Sequence, residues 1–319
     1  MRDTPVTESS LRLQWVVGRG APHEGTNLGA DVIAIFGPTA SGKSVVARRV
    51  ADALGTEVVS ADALQVYRGL PILTNQPADS TLLVAIRDLP NPMSVGEYAA
   101  LAHRAVDGLI EDRGAAVVAG GTGLYLRAAL ADLEIPPAVD RSNRARAESL
   151  YDEDRHAAHA RLSELDRDAA AAVHVNDRRR VVRSLELAEA GLSLVPSSDR
   201  LWSGLTRRPT LVVGLDLCPD TLRDRIEARA DDMIRRGAVA EARAAALSPI
   251  SRSAEKALGL TELATLPLEE AREALVMRTQ RYAAYQRKWM RRIPGIVLLD
   301  ADRASEEVAG DVLDLARAR

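Results

Sequence analysis

The sequence predicts an α/β protein, a parallel sheet with helices on both faces and a small helical insertion. Three observations lead there. Short apolar runs at Val32-Ile33-Ala34-Ile35-Phe36, Glu57-Val58-Val59-Ser60 and Ala115-Ala116-Val117-Val118-Ala119 alternate with helical stretches, the order a parallel sheet requires. A glycine-rich turn, G-x-x-x-x-G-K-S, lies between the first strand and the first helix, which makes the sheet P-loop NTPase-like. From about Pro136 the chain turns rich in Ala, Arg, Asp and Glu, and no strand-like run returns until Leu211.

Each element follows from local pattern. Residues 1–30 are polar and glycine-dotted and read as a loose N-terminal extension with one apolar patch, Leu13, Trp15, Val16 and Val17. The run 32–36 ends in Gly37-Pro38 and reads as a buried strand; a helix over 43–54 is stopped by Gly55. A helix over 99–111 precedes the strand 115–119, which runs into Gly120-Gly121. Residues 137–172 form the helical insertion, so that 31–136 and 173–319 make the core. A helix over 178–190 closes at Gly191, the strand 211–217 resumes the sheet, and helices follow over 222–236, 238–246 and 268–292. Ile296-Val297-Leu298-Leu299-Asp300 reads as the last strand.

Composition narrows the function classes. The 319 residues are 46% hydrophobic and 27% charged, a balance suited to a globular core, and aromatics are scarce at 3%. The single cysteine, Cys218, excludes an internal disulfide and a multi-cysteine zinc site. Neither a signal peptide nor a membrane-length apolar stretch is present, so a cytoplasmic address is expected. A net charge of −3 neither announces nor excludes a nucleic acid partner, since local clustering decides that.

Chemistry concentrates at Gly37-Pro38-Thr39-Ala40-Ser41-Gly42-Lys43-Ser44. Glycines let successive backbone N–H groups turn onto a phosphate, the helix N-terminus adds partial positive charge, and Lys43 supplies a full one. Ser44 is a magnesium ligand of the type that bridges phosphate oxygens. The strand at 115–119 ends in Gly120-Gly121-Thr122-Gly123-Leu124-Tyr125 and lacks the acid a motor or switch ATPase places there; Asp216 reads as a locally satisfied strand-end acid. Small-molecule group transfer is the class that remains. Asp62, after the second strand, falls beside the phosphate loop, because ligands bind beyond the C-terminal ends of such strands.

Two basic segments stand apart. Arg178, Arg179, Arg180 and Arg183 place four cations within six positions. Residues 278–292 carry six basic side chains and no acid, with Tyr282, Tyr285 and Trp289 interleaved. Cations meeting phosphates beside aromatics that stack on unpaired bases is one reading; a solvated helix face with its aromatics packed inward is the other.

The ordered set Gly37–Ser44, Ser60-Ala61-Asp62-Ala63-Leu64-Gln65-Val66-Tyr67-Arg68-Gly69 and Gly120–Tyr125 resembles the tRNA dimethylallyltransferase family. Asn176–Glu186, Lys256-Ala257-Leu258-Gly259 and Arg281-Tyr282-Ala283 with Gln286 and Trp289 extend the resemblance across roughly 32–292. It implies transfer of a prenyl group from dimethylallyl diphosphate to the N6 amine of an adenosine in the tRNA anticodon loop, with Mg2+ through Ser44. It implies that Asp62 is the base, that Gly37, Thr39, Ala40, Ser41, Gly42, Lys43, Ser44 and Arg225 hold the diphosphate, and that Thr122 and Tyr125 line the pocket. Asp62, Ala63, Leu64, Gln65, Arg179, Arg180, Arg183, Lys256, Arg281, Gln286 and Arg287 would meet the tRNA, the insertion would act as a clamp, and a monomer is expected.

The resemblance has gaps. Leu73-Thr74-Asn75-Gln76-Pro77 stands where the family carries Gly-Thr-Ala-Lys-Pro, and Arg87-Asp88-Leu89 where it carries His-His-Leu. Gln280 and Tyr285 replace two family arginines, for which Arg287 and Lys288 compensate in part. Three alternatives therefore stay open. They are a cytokinin-type enzyme that prenylates free AMP, ADP or ATP, a P-loop small-molecule kinase, and a nucleotide-binding module without catalysis.

Overall fold

The computed structural model of the chain describes residues 28–196, 198 and 200–319; the apolar patch at 13–17 lies outside them. Two compact units are formed, 28–131 with 206–319, and 132–205.

The larger unit begins with β1 (Val32–Phe36), α1 (Lys43–Leu54), β2 (Val58–Ser60), β3 (Thr81–Leu82), α2 (Val95–Arg113), β4 (Ala116–Gly120) and α3 (Gly123–Leu130). The helical unit holds α4 (Arg141–Glu153), α5 (Arg155–Leu165), α6 (Arg167–Ala172) and α7 (Arg178–Ala188). The larger unit then resumes with β5 (Thr210–Asp216), α8 (Pro219–Arg235), α9 (Ala238–Ala246), a 3-10 turn (Ala254–Lys256), α10 (Leu260–Thr265), α11 (Leu268–Met290), β6 (Val297–Asp300) and α12 (Ser305–Arg317).

The sheet runs β3-β2-β4-β1-β5-β6, all parallel. Continuous apolar runs mark strands covered on both faces, and every residue of β1 and β4 is buried. Ile33, Ile35, Val117, Val213 and Leu215 pack against Val46, Val50 and Leu54 of α1 and Val308 and Val312 of α12. A second cluster joins Leu70 and Leu73 to Met233, Leu260, Leu263 and Leu275.

Local chemistry sets the boundaries. The helix expected over 99–111 begins at Val95, because Ser94 accepts from Glu97 N at 3.1 Å while Glu97 accepts from Ser94 N at 2.9 Å. That capping box satisfies two otherwise orphan donors. β3, with two residues, is too short to show a pattern. The inserted unit exceeds the 137–172 read from composition, since Val181, Val182 and Leu185 of α7 pack on Ala147, Ala158 and Leu162 rather than on the sheet. Among the described residues, no helix is long and apolar enough to cross a membrane.

Candidate active site

The phosphate loop leaves the C-terminal end of β1, the sheet's inner strand between β4 and β5. Gly42 at the head of α1 has φ 85°, a left-handed conformation that glycine adopts without steric cost. Ala40 shares that region at φ 64°, where a non-glycine residue is strained. Lys43 Nζ lies 3.3 Å from the Pro38 carbonyl, folded back over the loop. Ser41 is buried and its Oγ has no hydrogen-bond partner. Ser44, in the first turn of α1, is exposed.

One glutamine braces this loop. Gln286 of α11, buried, accepts from Thr39 N at 2.8 Å and donates to the Gly121 carbonyl at 2.8 Å. It thereby ties the phosphate loop to the end of β4. A Cβ on Gly121 would fall 2.1 Å from the Gln286 amide nitrogen, and one on Gly123 2.2 Å from the Trp289 ring. Gly121 and Gly123 are therefore explained by α11 lying against them, and Gly120 by the Ala61 carbonyl, which a Cβ there would approach to 2.1 Å.

Asp62 sits at the end of β2, half-buried, and accepts from Leu64 N at 2.9 Å. Its charge reaches Lys43, Arg229, Tyr98, Tyr125 and Tyr282. Burial pulls the Lys43 ammonium down to about 8; Asp62 opposes that shift and Arg229 reinforces it. Burial likewise holds the Arg229 guanidinium below its ordinary value, again opposed by Asp62. Burial raises the Tyr282 phenol, with Asp62 adding to it. A carboxylate acting on two desolvated cations is the electrostatic centre of this unit.

Thr122 begins α3 without capping it. Its Oγ1 accepts instead from Ala63 N at 3.3 Å and lies 3.4 Å from Tyr282 Oη. Tyr125 is buried with its ring centroid 4.1 Å from that of Tyr98, whose hydroxyl donates to Ser60 O at 2.9 Å. Burial raises the Tyr125 phenol, so it stays protonated. A narrow cleft of about 20 Å³ runs beside the loop between Thr39, Arg229 and the apolar Ile226, Met233, Leu258 and Leu275. A wider concavity, about 890 Å³, lies wholly within the helical unit and is lined by His156, His159, Glu164 and His174.

The expected site residues divide. Thr39, Ser41, Lys43, Asp62, Ala63 and Thr122 are brought together. Arg225 is half-buried on α8, but the cation coupled to Lys43 and Asp62 is Arg229, one turn further along. The repeat Arg225…Arg229 at i, i+4 was the signal for it. Several side chains expected to meet tRNA are engaged within the protein. Gln286 is the buried brace. Gln65 accepts from Ser60 Oγ at 2.7 Å and donates to the Asn75 carbonyl at 3.0 Å. Arg287 pairs with Asp216 at 3.0 Å, which also satisfies that strand-end acid. Arg183 pairs with Glu186 and donates to the Pro136 and Pro137 carbonyls. Arg179, Arg180, Lys256 and Arg281 are exposed, and Leu64 is half-buried. Where the family's His-His-Leu would stand, Arg87 pairs with Glu97 at 3.0 Å and Asp88 with Arg68 at 2.8 Å.

Among the described residues, no group of three or more His, Cys, Asp or Glu is placed to hold a metal ion. A magnesium ion fits the remaining donors, because it characteristically keeps several waters and takes few protein ligands beside phosphate oxygens. Ser44 offers one such ligand.

Comparison with known proteins bears on the family and the fold. A family model described as IPP transferase matches residues 65–293. A tRNA dimethylallyltransferase of Salinispora arenicola is 37% identical over 301 residues, covering 90% of this chain and 86% of that protein. The crystal structure of a tRNA isopentenylpyrophosphate transferase from Bacillus halodurans superposes with a TM-score of 0.64 at 30% identity, covering 89% of this chain and 95% of that one. A eukaryotic dimethylallyltransferase acting on tRNA gives a TM-score of 0.72 at 26% identity, covering 90% and 80%.

Proposed function

The chain belongs to the IPP transferase family, and from that premise we propose that it transfers the dimethylallyl group of dimethylallyl diphosphate to the N6 amine of an adenosine in the tRNA anticodon loop. The observation that carries this reading is Asp62, which follows β2 with its neighbour Ala63 hydrogen-bonded to Thr122 after β4 and whose charge acts on both Lys43 of the phosphate loop and Arg229. The N6 lone pair is delocalised into the purine, so the amine attacks only as its proton leaves. N6 forms a bond to the allylic carbon, the carbon–oxygen bond to diphosphate breaks, and the proton passes to the Asp62 carboxylate. Negative charge builds on the departing diphosphate, where the loop N–H groups, Lys43 and Arg229 meet it. The unpartnered Ser41 hydroxyl supplies a further donor. Ser44 would hold Mg2+, which supplies additional charge neutralisation on the diphosphate.

The apolar wall of Ile226, Met233, Leu258 and Leu275 suits a five-carbon chain whose charged end faces Arg229. The cleft must widen to admit it, which a flexible methionine allows. Positioning N6 against an allylic carbon in that pocket supplies much of the rate, since allylic bonds ionise readily. No acid stands at the end of β4 to support ATP hydrolysis, which favours prenyl transfer over a kinase reaction.

The test is acceptor competition. Purified protein receives labelled dimethylallyl diphosphate and magnesium with unmodified tRNA, an anticodon stem-loop, AMP or ATP. Label on tRNA adenosine alone is expected; label on AMP or ATP would move the protein to the adenylate-prenylating type, and no transfer to any acceptor would refute both.

A further inference from the structure

Tyr285 has no role in the machinery described so far, yet it is placed beside it. It stands on α11 with 55% of its area exposed, the one aromatic among the large apolar side chains left in solvent by the described residues. In a chain with 3% aromatics, a half-exposed tyrosine is not core filling. Its ring is stacked on that of Tyr282, centroids 6.5 Å apart and planes 23° from parallel, which restrains it while leaving much of it uncovered. Tyr282 in turn lies 3.4 Å from Thr122 Oγ1, the acceptor for Ala63 N next to Asp62. One continuous contact path thus links the exposed ring to the proposed base. Arg281 and Lys288, one turn to either side on the same helix face, are exposed cations.

Restrained aromatic faces flanked by cations are how proteins hold unpaired nucleotides, stacking on the base and meeting the phosphates. Resting on the reading of the acceptor as an RNA adenosine, we propose that Tyr285 is the stacking platform for the base adjoining the reacting adenosine. An adenosine drawn out of a loop toward Asp62 loses stacking with its neighbour, and the Tyr285 ring replaces it. The position is one where the family pattern carries an arginine and this chain a tyrosine, so the platform belongs to this chain's own sequence.

The test uses the full-length protein, its Tyr285→Ala and Tyr285→Phe variants, and anticodon stem-loop RNAs carrying an abasic nucleotide on either side of the target adenosine. With intact RNA, Tyr285→Ala raises KM by about 5- to 150-fold, the range for loss of one base–aromatic stack, and leaves kcat nearly unchanged. Tyr285→Phe restores the wild-type KM. On one of the two abasic RNAs, wild type and Tyr285→Ala become indistinguishable. The inference is overturned if Tyr285→Ala keeps the wild-type KM, if Phe fails to restore it, or if the Ala penalty persists on both abasic RNAs. Failure of the wild type to prenylate any RNA is a separate result: it brings down the functional reading itself, and this inference with it.

Discussion

At the residue scale, the site is defined by one carboxylate and the two cations it influences. Asp62→Asn preserves shape and the acceptor for Leu64 N but removes the proton acceptor. Prenyl transfer is expected to fall about 10²- to 10⁴-fold while inorganic pyrophosphate still binds, which single-turnover kinetics and calorimetry separate. Lys43 makes a pH prediction with a definite sign. Its folded value is depressed to about 8, so the ammonium is charged below that pH and neutral above it. Pyrophosphate affinity of the free enzyme should therefore be highest below about 8 and decline as the pH rises through it. Asp62→Asn removes the charge that opposes the depression, so the midpoint should move lower; Lys43→Arg should abolish the decline. A pH series of binding constants for the three proteins checks both.

At the scale of elements, α11 sets the relation between the phosphate loop and the end of β4. Gln286 bridges them with one accepted and one donated bond, both in the interior. Gln286→Leu leaves the Thr39 N–H and the Gly121 carbonyl without partners, at about 1–3 kcal/mol for each group. The urea midpoint should fall accordingly, and pyrophosphate binding should weaken because the loop loses its brace. Gly123→Ala attacks the same junction sterically. Its Cβ would lie 2.2 Å from the Trp289 ring, an overpacking that costs about 1–3 kcal/mol. If that variant denatures at the wild-type midpoint, α11 does not press on the loop as described.

At the scale of the molecule, the helical unit is inserted where the core closes on itself. Arg207 N donates to the Leu130 carbonyl at 2.8 Å, so the two ends of the core at the insertion already touch. Replacing 132–205 by a short linker is thus expected to leave a folded core that binds pyrophosphate and prenylates no tRNA. Retained transfer to tRNA by that core would remove the clamp role from the helical unit. The larger unit has two apolar clusters of its own, separate from the cluster in the helical unit, which is why the excision is expected to be tolerated.

What the sequence determined by itself was the chemistry carried by contiguous residues. The phosphate loop and its flanking elements were legible because strand, turn and helix are consecutive, and glycine spacing states the backbone geometry directly. Asp62 was legible as a strand-end acid in an open parallel sheet. Tertiary structure alone decided which distant side chains complete the site. Gln286, 247 positions from Thr39, reads in sequence as one polar residue in a basic helix, and only packing turns it into a buried brace. Arg229 was hidden behind Arg225, because an i, i+4 pair shares a helix face and only the charges the fold brings near each one distinguish them. α7 belonged to the insertion for a similar reason: its apolar stripe is indifferent to partner until Ala147, Ala158 and Leu162 cover it. Of the arginines expected on the RNA, Arg183 meets Glu186 and two carbonyl groups and Arg287 meets Asp216, whereas Arg179, Arg180 and Arg281 stay exposed, a division that only the fold could make.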